Sequence, residues 1–174
     1  ATNKAKQMAV RTILCFPDPA LRTKAKSVEH FDDETQQLID DLLETMYERN
    51  GVGLAATQID EHWRVVVMDV SEDRDQPLVL VNPEITDKQG QAEETEGCIS
   101  FPGIFHSITR AKHITFNALD RTGQRYDMEA EGLLAVCVQH EVDHLMGRLF
   151  IDYLSPLKQG RILKKMRKLN KLNL

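Results

Sequence analysis

His140, Glu141 and His144 stand in the spacing H-E-x-x-H within residues 133–145 (LLAVCVQHEVDHL). On an α-helix, residues four apart lie about 40° apart around the axis and one turn along it. The two histidines can therefore present ring nitrogens to one metal ion. Glu141, one step round from His140, can reach a water there without being a ligand itself. Leu133, Val136, Cys137 and His140 continue the same side of the helix, so the metal falls at the end of an apolar stripe. The competing reading is a buried helix with two core histidines and a solvated glutamate. The rarity of histidine and the helical context favour the metal.

Two histidines do not hold a metal alone, because catalytic sites use three protein ligands and a water. The extension H-x-x-G-x-x-H fails here: Gly147 fits, but Phe150 occupies the third-histidine position. A glutamate on a later helix fails too, since none follows His144 and the one acid there is Asp152. Upstream, Cys98 lies in residues 96–100 (EGCIS), beside Gly97, which permits a close backbone approach. A metal lowers a thiol pKa enough for it to bind as thiolate. Such a Cys-His-His set suits zinc or ferrous iron, and ligand softness does not choose between them. A lone cysteine can equally be a small buried hydrophobe.

The elements that must position these groups follow from the pattern. Residues 17–19 (PDP) lead into a short helical turn, with Asp18 as cap and Pro19 first. From Asp32 or Asp33 to Arg49 two apolar rows, Leu38-Leu42-Met46 and Ile39-Leu43-Tyr47, predict a helix that Asn50-Gly51 ends. Residues 51–58 (GVGLAATQ) are too apolar for a solvent loop and too glycine-rich for a stable helix or strand. Gly53 signals that a ligand or another stretch of chain comes close, and Gln58 is either a site group or a surface residue. Residues 64–70 and 78–81 read as strands, the second broken by Asn82-Pro83. Residues 89–96 are polar and acidic, and residues 97–103 small and apolar, without a clear element. Residues 113–119 and 124–130 form two strands joined by a hairpin turn at residues 120–123. Glu131 or Gly132 opens the H-E-x-x-H helix and Gly147 ends it, and Ser155-Pro156 starts a last helix. Helices at the front, interior and end without βαβ alternation give an α+β class. The expected architecture is a compact single domain of mixed or antiparallel sheets around the H-E-x-x-H helix.

A chain of 174 residues is long enough for one real core, and 41% hydrophobic and 28% charged residues are ordinary for a globular protein. No run approaches 18 apolar residues, so no membrane span is expected. Residues 1–7 are polar and precede Met8, which reads as the natural start. The seven are then an added or disordered leader, and residues 8–174 are the domain. The odd, sparse set Cys15, Cys98 and Cys137 argues against a disulfide framework and for a reducing compartment. With no secretory or transit segment visible, a bacterial cytoplasm is expected. Residues 158–174 carry seven bases and no acid, whereas the rest holds 15 bases against 27 acids. A basic helix on an acidic body suggests an anionic partner, though such a run is also what a solvated face looks like.

Three motifs in order, GVGLAATQ (51–58), EGCIS (96–100) and QHEVDH (139–144), resemble the signature motifs of the peptide deformylases. The resemblance runs from about Met8 to the basic tail. It departs at Phe101, where the family usually has a smaller aliphatic residue, which bears on cleft shape rather than chemistry. It implies an enzyme that removes the formyl group from the formyl-methionine of new polypeptides and releases formate. It further implies that Cys98, His140 and His144 bind one divalent metal, Fe2+ physiologically, with Zn2+ or Ni2+ able to replace it. Glu141 is implied as general base and acid, and the Gln58 amide and Ile99 N–H as oxyanion donors. Val52, Leu133, Val136 and Cys137 match the methionine pocket. The substrate is implied to lie as an added strand near Val52, Gly53 and Gly97, and Glu96 with Arg110 to support the cysteine loop. The basic tail matches one that docks similar deformylases on ribosomal RNA near the exit tunnel. A monomer without a membrane partner is expected. The alternatives are an H-E-x-x-H metallopeptidase and a non-catalytic metal- or ribosome-binding module.

Overall fold

The computed structural model describes residues 9–172. The expectation about residues 1–7 and Met8 lies outside the described residues. Helix α1 (Asp33–Glu48) starts where Asp32 accepts a hydrogen bond from Thr35 N at 3.0 Å and buries Leu38, Ile39, Leu42 and Met46. Seven strands follow: β1 (Gly53–Ala55), β2 (Val65–Met68), β3 (Leu78–Gln89), β4 (Ala92–Cys98), β5 (Phe101–Arg110), β6 (His113–Leu119) and β7 (Arg125–Glu131). Helices α2 (Gly132–Leu145) and α3 (Pro156–Leu172) complete the chain. The strands form a five-stranded sheet in the order β1-β2-β3-β6-β7 and a two-stranded sheet β4-β5, every named pair antiparallel. This is the expected α+β class.

One core packs α2 against the five-stranded sheet, through Val138 and Leu145 on Val66, Leu80 and Phe116. A second packs α1 on Leu54, Val65 and Val67. The fully buried strand β2 thus separates two cores by the period-two alternation of its side chains. A third core joins Leu21, Phe101, Phe150, Ile162 and Met166. Phe101 stacks on Phe16 at 4.9 Å and meets Phe150 edge-on at 5.0 Å. The large residue at position 101 is therefore anchored in this core, and only borders the cleft described below.

Helix α2 follows β7 without a loop, through Gly132 at φ 62°, and ends at Gly147, φ 74°. There the Arg22 carbonyl fills the place a Cβ would need. In α3, Ile162 and Met166 are buried, which contributes about 1.5–3 kcal/mol each. Its seven lysines and arginines from Lys158 to Lys171 are all exposed.

Two expectations fail. Residues 51–58 are not irregular: β1 pairs with β2, and a 3-10 turn (Ala56–Ile59) follows. Asn82-Pro83 does not break β3. The strand passes through a bulge there, with Asn82 at φ 50°. Its amide holds the backbone of Val28 by two hydrogen bonds of 2.8 and 2.9 Å, which offsets the missed ladder bonds. The polar stretch 89–96 and the small, apolar stretch 97–103 belong mostly to the β4-β5 ribbon, whose stability comes from cross-strand pairs rather than from propensity.

Candidate active site

Helix α2 presents His140 and His144 on one face, and the end of β4 brings Cys98 to them. Cys98 Sγ lies 3.4 Å from His144 Nε2, and the two histidine Nε2 atoms are 3.2 Å apart. All three ligand atoms lie within 4.8 Å of one another, the one such group of His, Cys, Asp and Glu among the described residues. Tetrahedral zinc-type bonds of about 2.0–2.3 Å separate their ligand atoms by about 3.3–3.6 Å, so these three atoms fit one divalent ion. Both histidines are buried.

The support reaches well beyond the ligands. His140 Nδ1 shares a 2.8 Å hydrogen bond with Glu96 Oε1, which leaves Nε2 for a metal. Burial alone would lower the His140 pKa, but its contacts with Cys98 and Glu96 reverse the direction. Glu96 also takes a two-point bond from Arg110, Nε to Oε2 at 2.7 Å and Nη2 to Oε1 at 2.9 Å. Burial would raise the Glu96 carboxyl, but His140 and Arg110 hold it below its ordinary value. Arg110 in turn reaches Asp143 Oδ2 at 2.8 Å, which accepts from the Tyr153 hydroxyl at 2.7 Å. Asp143 and Tyr153 were missed in the sequence. Asp143 stands inside the H-E-x-x-H motif, but nothing in its spacing marks it as a partner of Arg110.

Glu141 is buried, and its Oε2 has no hydrogen-bond partner among the described residues. Burial pushes its carboxyl up to about 7, against the opposing pull of His140 and Arg110. A solvated glutamate is thereby excluded. An orphaned carboxylate oxygen near neutral pKa is what proton transfer to and from water requires. Gln58 is buried too, not a surface residue. Its Oε1 accepts from Ala55 N at 2.9 Å, while Nε2 donates to Ser100 Oγ at 3.1 Å and faces Cys98 Sγ at 3.6 Å.

These groups open onto a cavity of about 380 Å3, bordered by Ile99, Val136 and Cys137 among others. Cys137 is buried, and burial raises its thiol well above the ordinary value, so it is a neutral wall rather than a ligand. Val52 and Leu133 are 41% and 54% exposed, which places them at the rim and not in the core. Strands β1 and β4 border the cavity from two sides, and each pairs on only one edge. The two glycines are explained by neighbours inside the chain. A Cβ on Gly53 would lie 2.7 Å from Cys137 Sγ, and one on Gly97 2.6 Å from the Phe105 ring. A larger hollow of about 770 Å3, beside Arg11, Lys26 and Trp63, contains none of the candidate metal ligands.

The profile of the polypeptide deformylase family matches residues 10–160. The peptide deformylase of Chromohalobacter salexigens is 59% identical over 92% of this chain and 95% of its own, and that of Hahella chejuensis 57% over 95% and 99%. The crystal structure of a peptide deformylase from Legionella pneumophila superposes with a TM-score of 0.91 at 47% identity, covering 95% of this chain and 98% of that one. The Ehrlichia chaffeensis enzyme in complex with actinonin gives 0.89 at 39% identity, covering 92% and 98%.

Proposed function

We propose, from the premise that this chain belongs to the peptide deformylase family and removes the formyl group from N-terminal formyl-methionine, that Cys98, His140 and His144 hold its metal. The observation that carries this reading is the convergence of one sulfur and two ring nitrogens beside the orphaned Glu141 carboxylate. The alternative of a metallopeptidase finds no support. Asp152, the one acid after His144, is spent on an ion pair with Arg22 at 2.6 Å.

Cys98, His140 and His144 would hold a divalent cation, which would supply Lewis acidity to a water and to the formyl group. Glu141 takes the proton from the attacking water as its oxygen bonds to the formyl carbon. It then gives that proton to the leaving α-amine as the C–N bond breaks, and formate departs. The Gln58 amide and the Ile99 N–H donate to the formyl oxygen as it gains charge. The peptide lies between the open edges of β1 and β4, near Val52, Gly53 and Gly97, and adds a strand. Val136 and Cys137 enclose the methionine side chain, with Leu133 and Val52 closing over its rim. Glu96 and Arg110 hold the His140 ring in place. Ferrous iron is the working metal, with zinc or nickel able to replace it, because thiolate and imidazole are acceptable ligands to all three ions.

The test is formate release from formyl-Met-Ala-Ser by protein purified anaerobically and metal-counted. Fast release with one iron per chain supports ligands, metal and substrate together. Release only after zinc loading would overturn the choice of iron. The Glu141→Ala variant retains metal and loses turnover; turnover in that variant would overturn the role given to Glu141.

The exposed bases of α3 are proposed to bind ribosomal RNA, supported by their number and by the absence of ion pairs from them to described residues. Because Ile162 and Met166 of α3 belong to the third core, the test changes charge and keeps the helix. Lys164, Lys165 and Lys168 changed together to Glu should abolish a salt-sensitive ribosome association and leave the fold intact. A monomer in the bacterial cytoplasm completes the reading, and sedimentation of the purified chain checks the first part. No helix among the described residues is long and apolar enough to cross a membrane.

A further inference from the structure

The rim of the cleft carries one unbalanced charge. Among the residues bordering the cavity, the ionisable carboxylates Glu96 and Glu141 are buried, whereas Arg49 is exposed. Arg49 ends α1, and its backbone N–H bonds to Thr45 O at 3.0 Å. Its guanidinium forms no hydrogen bond or ion pair with a described residue. A cation at a helix C-terminus has a local electrostatic use, but that use does not require it to border a cavity. Two residues further on, the chain enters the Gly51–Gly53 stretch on which the peptide is proposed to lie. A substrate laid along β1 therefore passes the wall that Arg49 borders. Outside the basic helix the chain holds 15 bases against 27 acids. An acidic peptide is thus repelled by the net charge of the body and attracted where Arg49 borders the cleft.

We infer that Arg49 is a specificity determinant, and that this enzyme favours formyl-methionyl peptides with a carboxylate side chain in the residues that follow methionine. The inference rests on the deformylase reading. An exposed ion pair of this kind is worth about a two- to fivefold preference, and salt weakens it. Phe105, 66% exposed with its ring beside Gly97 on the β4 side, adds an aromatic surface but no charge.

The experiment is a set of amidated peptides, formyl-Met-Ala-Ala-Ala-NH2 with Asp, Asn or Lys placed in turn at positions two, three and four. Values of kcat/KM are divided by that of the uncharged peptide for the same enzyme preparation, so loss of folded protein cancels. The metal-loaded wild type should favour Asp over Asn by about two- to fivefold at one or more positions and disfavour Lys, and 0.5 M salt should flatten the difference. Arg49→Gln should remove the preference at that position and Arg49→Glu should invert it toward Lys. Equal rates across the wild-type series, or a preference that survives Arg49→Glu, would overturn the inference while leaving the deformylase reading intact. No turnover of any peptide would overturn both.

Discussion

Glu96 and His140 are joined by a 2.8 Å hydrogen bond between Oε1 and Nδ1, with both side chains more than nine-tenths buried. The bond is one member of a continuous line: Tyr153 to Asp143, Asp143 to Arg110, Arg110 to Glu96, Glu96 to His140. The line crosses from the end of β5 to β4 and then to α2. It ties the strand that carries Cys98 to the helix that carries the two histidines. A buried network of this kind is stable only when each member is satisfied, so its fixed geometry is passed on to the ligand atoms.

Glu96→Gln keeps the shape but removes the charge. Arg110 then keeps only Asp143 as an ionised partner, and the one amide oxygen left cannot serve both His140 Nδ1 and Arg110 Nε as the two carboxylate oxygens do. Metal affinity should fall about 10- to 100-fold, read as metal retained across a series of chelator concentrations. Breaking one side of a buried pair also destabilises by about 3–5 kcal/mol, so the urea midpoint of the apoprotein should drop. An unchanged metal affinity would remove Glu96 from the site.

Gln58→Leu removes an amide that is proposed to donate in the transition state. The loss should fall on kcat by about 100- to 1000-fold, with KM nearly unchanged. Metal content should remain at one per chain, because Gln58 is not among the ligands. The Ala55 N–H loses its buried acceptor at the same time, a cost of about 1–3 kcal/mol, so kcat is compared at a temperature where both proteins are folded. A rise in KM alone would assign Gln58 to ground-state binding instead.

The H-E-x-x-H helix was legible because its chemistry sits within five residues and its apolar period is local. The hairpin β6-β7 was legible for a similar reason: Gly123 at φ 91° and the Asp120 carboxylate, which accepts from Thr122 N and Gln124 N, form a self-contained turn. Strand β4 was not, because Glu93, Glu94 and Thr95 form a strand only when Thr109, Ile108 and Ser107 stand opposite. The Asn82 bulge was misread for a related reason. Pro83 does stop a regular ladder, but the Asn82 amide takes over the pairing through Val28, 54 residues away. Gly53 signals a close approach by a ligand or another stretch of chain, without saying which. Its nearest constraint is Cys137, on a helix whose position no local pattern reveals.

Gly53→Ala tests that constraint. The new Cβ would lie 2.7 Å from Cys137 Sγ and 3.1 Å from Glu141 Cγ, so β1 or α2 must shift. Overpacking of this kind destabilises by about 1–3 kcal/mol, and the shift moves Glu141, so activity falls as well. The double variant Gly53→Ala with Cys137→Ala removes the sulfur and should recover part of both losses. Urea unfolding and formate release on the three proteins check this. Strict additivity of the two substitutions would show that the sites do not touch.

Asp69 gives the chain a pH dependence separate from the metal. It is buried and accepts from Tyr47 Oη at 2.6 Å, Ser71 N at 2.9 Å and Gln76 N at 3.1 Å. Burial pushes its carboxyl up, but the bonds from Ser71 and Tyr47 outweigh it and hold the group below its ordinary value. Tyr47 is correspondingly raised to about 12 by burial and by Asp69. A carboxyl depressed on folding adds stability that is present above its unfolded pKa, about 3.9, and is lost as pH falls through the folded value. Asp69→Asn should therefore destabilise by about 1–3 kcal/mol at pH 7, with the gap to wild type closing below about pH 4. Asp69 N also donates to Val52 O at 2.8 Å, a backbone bond that the substitution leaves in place. Urea midpoints at pH 7, 5 and 3.5 measure the gap; a difference that stays constant down to pH 3.5 would mean that the Asp69 charge adds nothing to folding.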